Sequence, residues 1–149
     1  MASIVILGPA YPLRGGIAAF NERLARELLA MGHQVVIFTF SLQYPAFLFP
    51  GKTQLSGGPP PGGLDIRVRV NTLNPLSWYR SAREIRAVAP DIVLTRFWIP
   101  FMAPSLGQIL RRVKKGTRTH VVCIADNVVP HEHRPGDAAL TRYFLKACD

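Results

Sequence analysis

Ile4-Val-Ile-Leu-Gly-Pro-Ala-Tyr-Pro-Leu-Arg-Gly-Gly-Ile17 is an apolar run, then a loop rich in glycine and proline, then the start of a helix. The unbroken apolar stretch Ile4 to Leu7, stopped by Gly8-Pro9, marks a strand buried on both faces. The loop extends from Gly8 to Gly16. Beyond it, Ile17, Phe20, Leu24, Leu28 and Met31 recur at helical spacing and are expected to face inward, with Glu22, Arg23, Arg26 and Glu27 elsewhere on the helix. Gly32 is the expected stop, and Val35–Phe40 is a second buried strand. Strand, helix and strand in that order form the βαβ unit that opens a parallel sheet.

The alternation continues along the chain. Residues 41–63 are a long irregular connection. Leu64–Val70 is a third strand, less buried because Arg67 and Arg69 share a face. Trp78–Ala89 is predicted to be a helix with Tyr79, Ala82 and Ile85 inward and Arg80, Arg83 and Arg86 outward. Ile92–Leu94 is a fourth strand. Pro104 suits the first turn of a helix whose inner face is Leu106, Ile109, Leu110 and Val113, closed by Lys114, Lys115 and Gly116. Thr119–Ile124 is a fifth strand. Asp137 is expected to cap a last helix with Leu140, Phe144 and Ala147 on its core side. The fold class is therefore α/β: a doubly wound, mostly parallel, Rossmann-like sheet with helices on both faces.

With 149 residues, 48% of them hydrophobic, the chain suffices for one domain with a real core. Eighteen Lys+Arg against nine Asp+Glu leave a net charge of +9. That balance favours an anionic partner, whether nucleic acid, a phospholipid surface or a phosphorylated substrate. The two cysteines lack a CxxC spacing, so Cys123 reads as a small core residue in a reducing, cytosolic protein. The N-terminus is not a signal peptide, and no apolar run is long enough to span a bilayer.

Ligands on such sheets bind at the carboxyl ends of the strands. In the first loop, Gly15 and Gly16 lie at a helix N-terminus, where free backbone N–H groups favour a diphosphate and Arg14 adds charge. The same glycines could equally serve close packing alone. The dinucleotide pattern GxGxxG is absent, and no acidic residue follows the second strand, which argues against NAD. Gly51-Lys52-Thr53 imitates a phosphate loop, but Ala46 stands where that pattern needs glycine. Tyr44, Phe47, Leu48 and Phe49 in one loop, and Phe97, Trp98, Ile99, Phe101 and Met102 in another, either form an aromatic rim for a membrane or lipid-linked acceptor, or fold inward onto the core. The loop Asp126-Asn-Val-Val-Pro-His-Glu-His133 is densest in polar groups. Its spacing matches no common zinc pattern, and a general acid/base or hydrogen-bonding role for Asp126 or His131 is the better reading. His33 reads as structural, holding the helix-to-strand turn.

Three stretches, taken in order and spacing, resemble the family 4 type glycosyltransferases of GT-B architecture: Gly8 to Ile17 with its helix, Leu29-Ala-Met-Gly-His-Gln-Val-Val36, and Asp126 to Glu132. The resemblance covers nearly the whole chain. It implies that residues 1–149 are the N-terminal, acceptor-side domain of a retaining enzyme. Such an enzyme moves a sugar from a nucleotide-sugar donor to a glycan or glycolipid acceptor between two Rossmann-like domains, without a metal or other cofactor. The C-terminal domain, which binds most of the nucleotide sugar and carries paired glutamates, is expected to be absent from this chain, so the chain alone is expected to be inactive. Gly15 and Gly16 would meet the donor phosphates. Arg14, Arg96, Trp98, Asn127 and Glu132 would contact the acceptor. Many members carry a histidine at the end of the fifth strand; here Asp126 stands there and His131 follows, so either is the candidate catalytic residue. A cytoplasmic location at the inner face of an anionic membrane, and no nucleic-acid partner, complete the expectation.

Two other classes fit parts of the sequence. Arg80, Arg83, Arg86, Arg111, Arg112, Lys114 and Lys115 could make a basic module for anionic lipid or nucleic acid. An epimerase or dehydrogenase is weakened by the missing dinucleotide signature.

Overall fold

The computed structural model describes residues 1–48, 54–127 and 134–149. Five strands form one all-parallel sheet: β1 (Ser3–Leu7), β2 (Gln34–Leu42), β3 (Asp65–Asn71), β4 (Ile92–Phe97) and β5 (His120–Ala125), in the spatial order β3-β2-β1-β4-β5. Four helices connect or follow them: α1 (Gly16–Ala30), α2 (Pro75–Val88), α3 (Ala103–Lys114) and α4 (Asp137–Leu145). Ile4 of β1 stands opposite Val35 of β2 on one side and Ile92 of β4 on the other.

The alternation of side chains along β1 divides the core. Ile4 and Ile6 point to the face covered by α1, where they meet Ala25, Leu24 and Leu28. Val5 and Leu7 point to the opposite face, with Ala82 and Ile85 of α2, Leu106, Ile109, Leu110 and Val113 of α3, and Phe144 of α4. This is the layering that right-handed crossovers impose when the chain winds first one way from β1 and then the other. β3 is an edge strand, and it is less buried, as its two arginines suggested: Arg69 pairs with Glu84, and Arg67 reaches to Asp65 and the Phe38 ring.

Several local expectations are corrected. α1 does not bury Phe20 and Met31, which are 50% and 70% exposed; its fully buried positions are Ala18, Asn21 and Ala25. Small residues let the helix axis approach the sheet, and the larger ones flank the contact. α2 begins earlier, at Pro75, because the Asn74 side chain accepts from the Leu76 N–H. Tyr79 lies on its outer side, and Ser81 is buried. β4 runs on through Thr95 and Arg96 to Phe97. At α4 the capping position is Gly136, in the left-handed region, and Asp137 is the first helical residue, its carboxylate accepting from the Arg134 N–H. The end of α1 is as expected. Gly32 at φ 91° lets its own N–H and that of His33 reach Leu29 and Leu28 carbonyls, closing the helix. His33 Nδ1 then accepts from the Ala2 N–H at 3.0 Å, tying that turn to the start of β1.

Candidate functional site

The winding direction reverses between β1 and β4, so the crevice at their carboxyl ends is the topological switch point of the sheet. Gly8 follows β1 there, and Arg96 is the last but one residue of β4. Arg96 is only 5% exposed, and a buried guanidinium needs its charge and donors matched. Its Nε donates to Asp126 at 2.9 Å and its Nη2 to the other carboxylate oxygen of the same residue, while Nη1 reaches Asn21 Oδ1 at 3.4 Å. Its guanidinium carbon lies 4.5 Å from the centroid of the Phe20 ring. The exposed phenyl of α1 is thus a cover over a charge rather than a stray apolar group. Asp126 accepts from Arg96 with both oxygens yet keeps lone pairs open to solvent, which a substrate hydroxyl could use.

The first loop is fastened at successive points. Gly8 N–H donates to the Phe38 carbonyl at 3.1 Å, Ala10 N–H to Thr39 Oγ1 at 2.9 Å, and Tyr11 N–H to Glu22 Oε1 at 2.7 Å. Asn21 Nδ2 donates to the Pro9 carbonyl at 2.8 Å, and Arg14 N–H to the Gln54 carbonyl. The loop delivers Gly15, at φ 129°, as the residue preceding α1. Among the described residues no side chain caps this helix, and its first turn holds no acid. The first N–H groups of a helix have no intrahelical acceptor, and the first such bond here is Ala19 to Gly15. A Cβ built on Gly15 or Gly16 meets nothing within 4 Å among the described residues. The α1 N-terminus is therefore open to an approaching anion.

The aromatic loops fold mostly inward. Phe97 and Met102 are fully buried, Tyr44 is buried, and Leu48, Trp98, Ile99 and Phe101 pack half-buried against the core. Trp98 Nε1–H donates to the Tyr44 hydroxyl, whose pKa burial pushes up. Phe47 is exposed, and Phe49 lies outside the described residues. Trp98 and Asn127 line one half-open cavity of about 370 Å³ with Ile99, Phe101 and Arg134.

Of the sequence candidates, the structure brings Arg96 and Asp126 into direct contact, places Trp98 and Asn127 in one cavity, and sets Arg14, Gly15 and Gly16 at the α1 N-terminus. His131 and Glu132 lie outside the described residues. Among the described residues, no three His, Cys, Asp or Glu side chains converge as a metal site, and no helix is long and apolar enough to cross a membrane. Sequence reasoning missed Gly8, Phe20, Asn21 and Arg134. Asn21 carried a signal, a polar residue midway between Ala18 and Ala25 on one helical stripe.

A family model, Glycosyltransferase Family 4, matches residues 14–149. Among solved structures, an alpha-glucosyltransferase in complex with UDP and a 13-mer DNA containing a central A:G mismatch shares the fold at a TM-score of 0.61 and 12% identity, covering 100% of this chain and 36% of that one. An alpha-glucosyltransferase in complex with UDP and a 13-mer DNA containing a HMU base gives a TM-score of 0.50 at 11% identity, over 98% of this chain and 36% of that one. This chain thus spans about a third of the length of these structures. No curated protein matches.

Proposed function

The chain belongs to glycosyltransferase family 4, and from that premise we propose that it is the acceptor-side half of a retaining transferase that moves a sugar from a nucleotide-sugar donor to an acceptor. A second domain supplies most of the nucleotide contacts, and neither metal nor another cofactor takes part. The observation that carries this reading is the α1 N-terminus, uncapped among the described residues and with bare Gly15 and Gly16, on the helix whose Asn21 and Phe20 meet the buried Arg96 that holds Asp126. Backbone N–H groups there stabilise charge on the departing diphosphate. Asp126, held by Arg96, accepts a hydrogen bond from a hydroxyl of the transferred sugar. Trp98 and Asn127, with Arg134, seat a glycan or lipid-linked acceptor, and Arg14, His131 and Glu132 remain candidates for contacts around it.

Gly16→Leu in the two-domain enzyme tests the reading. A Cβ at Gly16 meets no described atom within 4 Å, so the melting temperature should hold while kcat/KM for the nucleotide sugar falls by roughly 10²-fold. An unchanged kcat/KM would place the donor phosphates elsewhere.

A second reading, a basic module for anionic lipid, draws on α2 and α3. Arg83, Arg86, Arg112 and Lys115 surround the exposed Tyr79, and Leu73 and Leu76 are exposed at the other end of α2. With the aromatic loops largely folded inward, this face is where the enzyme would meet the inner leaflet of a membrane. Sedimentation with anionic vesicles, released by salt, supports membrane docking. Equal binding to neutral vesicles removes it, and tighter binding to duplex DNA turns the reading toward nucleic acid.

A further inference from the structure

We propose that Cys123 and Cys148 form a dithiol site that takes a low-molecular-weight disulfide, such as glutathione disulfide, and closes into an internal disulfide. The two are the protein's only cysteines, and neither enters the transferase chemistry above. They stand 25 positions apart, yet each thiol is the first influence on the other's ionisation. The backbone explains why. The Asp149 N–H donates to the Val121 carbonyl at 2.9 Å, and the Val121 N–H donates back to Asp149 Oδ2 at 2.6 Å. That reciprocal pair lays the segment after α4 along β5, two residues ahead of Cys123. The Cys148 thiol leans on the Phe144 carbonyl, and both sulfurs pack against the same apolar cluster while remaining half-buried, within reach of a small reagent.

The two thiols are unequal. The neighbouring Cys123 thiol first, and then the Lys114 and Arg111 cations, draw the Cys148 pKa down. Cys123 is pushed up by its nearness to Cys148 and by burial. Cys148 is therefore the attacking group and Cys123 the resolving one. The Cys148 thiolate attacks one sulfur of glutathione disulfide, its S–S bond breaks, and one glutathione leaves as thiolate. Cys123 then loses its proton and attacks Cys148 Sγ, displacing the second glutathione. Two protein thiols are oxidised, one glutathione disulfide is reduced to two glutathiones, and the two cysteine protons end on them. The bond ties β5 to the end of α4 and closes a ring that contains Asp126, Asn127 and the loop after them.

Intact-mass measurement of the wild-type protein, alkylated after incubation in glutathione buffers of rising oxidised fraction, decides the matter. The expected product has lost two hydrogens, takes up no alkylating agent, is monomeric and reverts with dithiothreitol. Its melting temperature should rise by about 5 °C or more over the reduced form. Cys123→Ser should instead accumulate one stable glutathione adduct on Cys148. A wild-type protein that keeps two free thiols, carries two separate adducts or cross-links between molecules overturns the proposal, with no variant needed.

Discussion

Gly8 has no side chain because two others occupy the space. A Cβ there would sit 2.9 Å from Asn21 Nδ2 and 3.4 Å from the Arg96 stem. Gly8→Ala must therefore displace the amide that holds Pro9 or the guanidinium that holds Asp126. Urea midpoints should show a loss of about 1–3 kcal/mol, typical of overpacking. Arg96→Met keeps the stem and removes the charge, leaving Asp126 and Asn21 without their partner. That should lower stability by about 2–3 kcal/mol, and Asp126→Asn in the same background should recover much of it, since no unpaired charge then remains. A third residue acts through pH. Lys114 and the Val121 N–H hold the Asp149 carboxyl below its ordinary value. A depressed folded pKa contributes stability that is present above the unfolded value near pH 4 and is lost as pH falls through the folded one. Asp149→Asn should therefore lower the neutral plateau slightly and flatten the acid limb of the stability curve, the effect being small because the side chain is 42% exposed.

Among the elements, the strands were the most legible in the sequence because a parallel strand buried on both faces writes itself as an unbroken apolar run. Where such a run contained Thr95 and Arg96, the reading of β4 stopped short. Thr95 is buried with its hydroxyl on the Leu7 carbonyl at 3.1 Å, and the carboxylate that neutralises Arg96 is 30 residues away. Neither compensation has a local signature. The inner face of α1 was misread for a related reason: hydrophobicity ranks Phe20 above Ala18, whereas close approach to a sheet ranks them in the opposite order. The same preference for small residues governs the α3–α4 contact. A Cβ on Gly107 would lie 2.5 Å from the Tyr143 ring, whose hydroxyl accepts from Gln108 at 2.6 Å and whose face carries Arg111 at 4.1 Å. Gly107→Ala gains roughly 1 kcal/mol of helix propensity, but forcing the ring aside costs about 1–3 kcal/mol and a hydrogen bond worth about 1 kcal/mol. Thermal melts should show a net loss of about 1–3 kcal/mol.

For the molecule as a whole, the order of elements and the family were legible in the sequence, while the organisation of the site was only partly so. Gly15 and Gly16 were visible because glycine before a helix is a local event. The union of Arg96 with Asp126, the Phe20 cover and the pairing of the two cysteines depend on the spatial order β1-β4-β5, which no local pattern announces. The winding has a further consequence, measured in time. β1 occupies the middle of the sheet, but its partner on one side, β4, comes 88 positions later in the chain. At about 5–20 residues per second of synthesis, the β4-facing edge of β1 waits roughly 4–18 s on the ribosome before its partner exists. During that interval the most apolar strand of the domain offers an open hydrogen-bonding edge to any other chain, so the nascent protein depends on early shielding to a degree that the finished fold does not reveal.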